Sequence, residues 1–346
     1  MEQICVKLWN ELHVWENSST VCCWMKPYAT FPAYTPNEWI WNSKSLNTLR
    51  TRMLNEGVKS VCPKCPLYVG SLDRELKNHN EQYPSPEWET TARQNVCNDH
   101  STYPLVTAIT VGDLCNSKCR MCWLRGKQKL TNSRYSAETL ALLHRLCEHS
   151  IYVTLSGGDI FAYPDEYIDQ ILAISQNAIY EAITNAQGLS LERIDKYVKS
   201  ERIPRLKISL ETVDPISYGK HCGRHIYDLL DRLRTLNGSH VVWYSSVITL
   251  WTLDSLPMLV EFAHQTNVKM VVIKPVVGNM LATTGYGYAD IFEEGYTAST
   301  HAKALEIFIE VERLAKQYNI IVDDLNIARR RLDQAHERLL SQTTTM

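Results

Sequence analysis

Apolar residues in this chain change spacing as the sequence advances, and the changes mark out its elements. Short runs rich in β-branched and aromatic residues recur at 105–111, 151–155, 180–184, 205–210, 240–248 and 269–276, and each predicts a strand. Between them the apolar positions fall at helical spacing. Ile226, Leu229, Leu230, Leu233 and Leu236 form the clearest stripe, and Leu140, Leu143 and Cys147 form a shorter one. Six strand–helix repeats predict a parallel sheet with right-handed crossovers, either an open doubly wound sheet or a partial barrel. Periodicity alone leaves both open. Two more helices are expected at 300–318 and 324–342.

The first hundred residues read differently. Residues 1–69 hold short strand-like and aromatic pieces, three groups of cysteines and a helical stretch at 43–55. Residues 70–103, with the polar, proline-containing run HNEQYPSPEWETTARQ, read as a linker or wrapping segment. The expected division is therefore 1–69, 70–103 and 104–346. No repeat of solenoid spacing and no low-complexity tract interrupts it.

Composition and charge narrow the classes. The 36 basic and 38 acidic side chains leave a formal charge of −2, which gives no electrostatic footprint for general nucleic-acid binding. No run is long and apolar enough to span a bilayer, and the start MEQICVKLWNELHVW lacks the basic and apolar regions of a secretory signal. The expectation is a cytoplasmic protein with no membrane partner. Eleven cysteines in such a chain need a use other than disulfides, and nine of them lie in the first 122 residues. Clustering of that kind suggests ligation of a metal or cluster. Cys147 and Cys222, apart from the rest, read as core thiols.

The densest group is DLCNSKCRMCW, directly after the first strand of the repeat region. Cys115, Cys119 and Cys122 are separated by three and then two residues, so one compact loop can aim all three at a common centre. Thiolates are the usual ligands of iron–sulfur clusters, and a four-iron cubane held by three protein ligands leaves one iron open. The competing reading is structural zinc, which needs a fourth ligand such as Cys97 or His100.

This CxxxCxxC loop after a first barrel strand resembles the hallmark of the radical S-adenosylmethionine (radical SAM) superfamily. The resemblance implies a partial (β/α)6 TIM-like barrel of class α/β, a 4Fe–4S cluster on Cys115, Cys119 and Cys122, and S-adenosylmethionine chelated through its amino and carboxylate groups at the open iron. In the family, one electron from the reduced cluster then yields methionine and a 5′-deoxyadenosyl radical that abstracts hydrogen from the substrate. An electron donor such as flavodoxin or ferredoxin is implied as a partner.

Later segments extend the likeness. LSGGDIF at the end of the second strand resembles the GGE motif, with Asp159 in place of Glu; Gly157 and Gly158 would let backbone approach the methionine amino group. ITNA resembles the TNG segment and implicates Thr184 and Asn185. KISLETVDP resembles the SLD or SLE segment, so Ser209 and Glu211 would reach the ribose or methionine moiety. Arg224 in HCGRH stands where relatives carry a base that pairs with the methionine carboxylate, against the plainer reading of a solvated helix-start charge. Lys274 and Pro275 fall in the adenine-side region. The aromatic residue that often precedes the last cysteine is Met121 here, with Trp123 following, and methionine also packs on adenine.

The N-terminal cysteines resemble a Twitch or SPASM-type auxiliary module: cysteine, aromatic strand, tight turn, cysteine, helix and a closing CxxC. That likeness implies a second 4Fe–4S cluster on Cys5, Cys23, Cys62 and Cys65, with Cys22 competing with Cys23 and Cys97 spare. A zinc ribbon is the alternative. Relatives usually carry this module after the radical domain, and Ser18 stands where they have glycine.

The reaction expected is hydrogen abstraction from a small-molecule or peptide substrate, with the second cluster assisting electron transfer. No leader-binding domain is recognised, which favours a small molecule over a long ribosomal precursor. The 278–296 stretch, rich in glycine and tyrosine, is a candidate substrate loop. Modification of RNA or of a protein side chain, and a non-catalytic zinc- or cluster-binding regulator, are the alternatives.

Overall fold

The computed structural model describes residues 4–15, 18–22, 29–30, 40–63, 71–83, 85–99, 101–122, 134–236, 241–275, 291–292 and 296–343. Within them lie ten strands. Three short ones come first: β1 (Glu11–Val14), β2 (Ser18–Thr20) and β3 (Ala29–Thr30). The six strands expected from the repeats follow as β4 (Val106–Thr110), β5 (Tyr152–Ser156), β6 (Ile179–Thr184), β7 (Arg205–Ser209), β8 (Val241–Ile248) and β9 (Met270–Pro275), and β10 (Ile321–Asp323) closes the series. The class is α/β with mostly parallel strands, and the succession of strand and helix is that of a partial (β/α)6 TIM-like barrel.

The chain divides into two compact units, 1–113 with 132–182, and 114–131 with 183–346. In the first, the strand order is β6-β5-β4-β1-β2-β3 and the sheet does not close. β4, β5 and β6 pair in parallel, as strands joined by helical crossovers must. β1 also pairs in parallel with β4, Glu11 opposite Val106 and Val14 opposite Ile109, and β2 and β3 continue the sheet antiparallel. The N-terminal residues thus extend the sheet of the repeat region. In the second unit, β7, β8, β9 and β10 lie side by side, all parallel.

The parallel strands are apolar on both faces because helices and loops cover both. All but the last residue of β4 and of β5 are buried. The Leu229 and Leu233 stripe is buried on the helix Tyr227–Thr235, as its spacing predicts. Two long helices, Ala298–Tyr318 and Leu325–Thr343, stand where they are expected.

The segment read as a linker is different: most of 70–103 is helical, in Leu72–Gln82 and Pro86–Cys97. Its sparse apolar residues sit four apart, so Trp88, Ala92 and Val96 share one face and are buried, as are Leu72 and Leu76. Pro86 starts a helix within the proline-containing run. Ser85 caps that helix by accepting from Trp88 N, and a proline at the first helical position loses no hydrogen bond.

No helix among the described residues is long and apolar enough to cross a membrane.

Candidate active site

In the second unit the cysteine loop is fastened to the end of a helix. Pro215–Cys222 is a short helix with every terminal signal: Asp214 accepts from Ser217 N at 2.6 Å, Pro215 opens it, and Gly223 closes it at φ 66°. A helix leaves its last carbonyls without internal partners. Here the loop supplies two of them, with Lys118 N donating to Cys222 O and Arg120 N to His221 O, both at 2.9 Å. Gly223 lies so close to the loop that a Cβ there would sit 3.4 Å from Lys118 Cβ. The Arg224 guanidinium, on an exposed residue, donates through Nε to the Asn116 carbonyl. Arg224 therefore braces the loop that carries the thiols.

Cys115, Cys119 and Cys122 are half-buried and none is in a disulfide. Within the loop Cys122 N donates to Cys119 O at 3.1 Å, and Asn185 Nδ2 donates to Cys115 Sγ at 3.4 Å. Asn185 follows β6 directly. Its own Oδ1 accepts from Gln187 N at 2.9 Å, and Thr184 Oγ1 accepts from Ala186 N at 2.8 Å, so the two polar side chains shape the turn that presents Asn185 to the loop. Met121, directly before Cys122, is buried, and Trp123 lies outside the described residues.

Sequence reasoning missed two neighbours of this loop. Cys222 is buried, as a core thiol would be, and the neighbouring Cys119 sulfur together with burial pushes its thiol well above the usual range. His221 is fully buried, and burial, with Arg120 nearby, pushes its imidazole down to about 4. Its ring lies 5.6 Å from that of Trp251, over which Arg120 also sits. A separation of about a hundred residues from the loop leaves no local signal of either.

Ser209 ends β7 opposite Ser245 of β8 and is half-buried. Glu211, two residues on, is buried, and its Oε2 accepts from Val247 N at 2.7 Å. Burial pushes this carboxyl up to about 7, against the pull of that hydrogen bond and of Lys274. Lys274 of β9 lies opposite Val247.

In the first unit, the Gly157–Gly158 turn follows β5. Gly157 has φ 103°, and a Cβ there would lie 2.5 Å from Thr110 Cγ2 and 2.9 Å from Gly112 O, so only glycine fits. Gly158 N donates to Gly112 O at 2.8 Å, tying this turn to the one after β4. Asp159 turns inward and caps the next helical turn, accepting from Phe161 N at 2.9 Å.

The N-terminal cysteines present a looser picture. Cys5, Cys22 and Cys62 are half-buried and in no disulfide, and Cys97 is exposed. Cys23 and Cys65, like His100 and most of 278–296, lie outside the described residues. Beside Cys22 is a buried ion pair: Lys7 Nζ donates to both Glu11 carboxylate oxygens at 2.7 Å. Burial opposes the charge on Lys7, but Glu11 outweighs it and holds the ammonium above its usual range. Tyr83 packs over Tyr152 with ring centroids 5.0 Å apart, and burial raises its phenol.

Among the described residues, no three His, Cys, Asp or Glu side chains converge tightly enough to hold a metal ion. The loop supplies three thiols outside any disulfide within eight residues, and this soft donor set suits an iron–sulfur cluster, whose binding energy draws its ligands together.

Residues 109–263 match the family model of the Radical SAM superfamily. That segment is similar to a radical SAM domain. It runs from the end of β4 through the cysteine loop, the Gly157–Gly158 turn and the Pro215–Cys222 helix. No curated protein matches the chain. Among solved structures, Streptococcus suis SuiB bound to the precursor peptide SuiA is similar at 17% identity and TM-score 0.51, over 81% of this chain and 62% of that one. SuiB bound to S-adenosylmethionine is similar at 17% identity and TM-score 0.50, over 80% and 64%. At such identity the likeness speaks for the fold alone. The chain spans a little under two thirds of the length of these structures.

Proposed function

We propose that this chain is a radical SAM enzyme that cleaves S-adenosylmethionine reductively and removes a hydrogen atom from a peptide or small-molecule substrate. The observation that carries the reading is the three-thiol loop, fastened by the helix Pro215–Cys222 inside a segment that matches the radical SAM family. Cys115, Cys119 and Cys122 would hold a 4Fe–4S cluster, leaving one iron for the cofactor. Such a cluster, when bound, would supply one-electron reduction of the sulfonium and so homolytic chemistry at a substrate C–H bond.

The chain's own residues do the positioning. Asn185 donates to the Cys115 sulfur and orients it. Arg224 and the two helix carbonyls hold the loop backbone. In the second unit Thr184, Ser209, Glu211 and Met121 would be cofactor contacts, with Trp123 a further candidate from the sequence, and Gly157 and Gly158 would leave room for a close backbone approach. A second cluster on Cys5, Cys23 or Cys22, Cys62 and Cys65 would serve electron transfer, with a flavodoxin or ferredoxin as reductant. SuiB has been seen with a precursor peptide bound, which favours a peptide as the substrate class.

Anaerobic reconstitution with iron and sulfide tests this directly. About eight irons per chain are expected for two cubanes, with 5′-deoxyadenosine formed after dithionite and S-adenosylmethionine are added. A loop that takes zinc, in a protein with no affinity for S-adenosylmethionine, overturns the reading.

A further inference from the structure

The turn after β6 is held by more bonds than a simple connection needs. Thr184 ends the strand, and Ala186 is buried at φ 57°, a left-handed conformation that alanine disfavours. Strain of this kind persists only where the surroundings over-determine it. Here four side-chain bonds do so. Thr184 Oγ1 accepts from Ala186 N at 2.8 Å, and Asn185 Oδ1 accepts from Gln187 N at 2.9 Å. Gln187 Nε2 in turn donates to the Tyr218 hydroxyl at 3.0 Å and to the His225 carbonyl at 3.3 Å. Tyr218 stands on the helix Pro215–Cys222, the same helix that fastens the cysteine loop.

The consequence falls on Asn185. With its oxygen engaged by Gln187 N, its amide turns the nitrogen to the loop, and Nδ2 donates to Cys115 Sγ at 3.4 Å. Ser117 N donates to the same sulfur at 3.5 Å. Cys115 therefore receives one donor from the loop itself and one that the fold brings from seventy residues along the chain. N–H bonds to a ligating sulfur stabilise its negative charge. The reduced cluster, being more negative, gains more from them, and its potential rises.

Resting on the proposed radical SAM function, we propose that Asn185 is a positioning residue for the cluster: its amide acts on the Cys115 ligand, not on S-adenosylmethionine, and raises the potential at which the cluster takes its electron. The strained turn at Ala186 and the Gln187 brace serve to aim that amide.

The experiment is a potentiometric titration of the reconstituted wild-type, N185S and N185D chains without S-adenosylmethionine, followed by the EPR signal of the reduced cluster, with iron counted in each. Adding S-adenosylmethionine at the end identifies the signal of the cluster with the open iron, and calorimetry gives each chain's affinity for it. Both variants keep an oxygen for Gln187 N, and the isosteric N185D guards against an N185S chain that folds poorly. Expected is wild-type iron content in both. At a fixed applied potential the reduced-to-oxidised ratio should fall about tenfold in N185S, equivalent to about 59 mV for a one-electron couple. It should fall further in N185D, where a carboxylate faces the sulfur. A wild-type potential in N185S overturns the proposal even if N185D shifts, since a new charge alone would do that. Weakened affinity for S-adenosylmethionine at an unchanged potential also overturns it, because Asn185 would then be a cofactor contact. So does loss of about four irons from N185D, because the amide would then hold the cluster in place and not tune it. If instead the wild-type loop itself carries no iron–sulfur cluster, the failure lies with the radical SAM reading, and it is seen before any variant is compared.

Discussion

Two regions of this chain are rich in cysteine, and they differ in how their thiols are brought to order. Cys115, Cys119 and Cys122 sit within eight residues, on a loop whose backbone is bonded to the end of a helix. Cys5, Cys22 and Cys62 are spread over nearly sixty residues and carried by a short strand hairpin and a helix, with an ion pair alongside. Short spacing makes the first set a unit by covalent geometry, so its chemistry is readable at once. The second set depends on whether separate elements fold against each other. Proximity in the chain is a cheaper way to build a donor set than tertiary packing, and it leaves a clearer trace.

The largest expected effect breaks or sharpens that contrast. Cys119→Ala should abolish formation of 5′-deoxyadenosine and remove about four irons. Cys62→Ala should also remove about four irons while S-adenosylmethionine cleavage persists. Iron that is unchanged in Cys62→Ala would mean the N-terminal cysteines hold no cluster.

Next in size is the ion pair beside the N-terminal set. Lys7→Met takes the ammonium away from a buried carboxylate and should cost about 3–5 kcal/mol in urea unfolding. A cost under about 1 kcal/mol would show that this region is wetter and looser than its burial implies.

Glu211 probes the other region through pH. Its carboxyl titrates at about 7 in the folded chain, against an ordinary value of 4.5. Below pH 4.5 it is neutral in both states and costs nothing. Between 4.5 and 7 the unfolded chain ionises first, so this group's contribution to stability falls as pH rises, by on the order of 3 kcal/mol in all. Glu211→Gln removes that loss, and its advantage over wild type should be larger at pH 8 than at pH 5 by about that amount. Equal differences at the two pH values would argue against a neutral buried acid.

Smaller still is Gly157→Ala. The added Cβ meets Thr110 and the Gly112 carbonyl, at a φ that alanine disfavours, and should cost about 1–3 kcal/mol. Affinity for S-adenosylmethionine, measured by calorimetry, should fall with it. Smallest is Ser43→Ala, at about 1 kcal/mol, since Ser43 caps the helix Lys44–Glu56 between the N-terminal cysteines. An unchanged melting temperature would mean that helix adds little to the unit.

Much of the fold was legible because its signals are local. The six strands of the repeats fall within two residues of their expected bounds, as do the last two helices. Residues 70–103 misled because Trp88, Ala92 and Val96 are isolated among polar neighbours, and because a proline that begins a helix looks the same in sequence as one that ends it. Nor did the cysteine pattern of residues 1–69 reveal that β1 would pair with β4, since parallel pairing between strands some ninety residues apart leaves no mark in either.

The motif CNSKCRMC, the glycine pair and the strand–helix rhythm were determined by the amino-acid sequence alone, because spacing within one turn or one strand already dictates which side chains share a face. Tertiary structure alone decided that Arg224 would grip the loop, that Glu211 would lose its contact with water, and that the Cys222 carbonyl would accept from Lys118 N. The physical reason is that backbone groups left over at a helix end must be satisfied by whatever the fold brings near, and nothing in the local sequence names that partner.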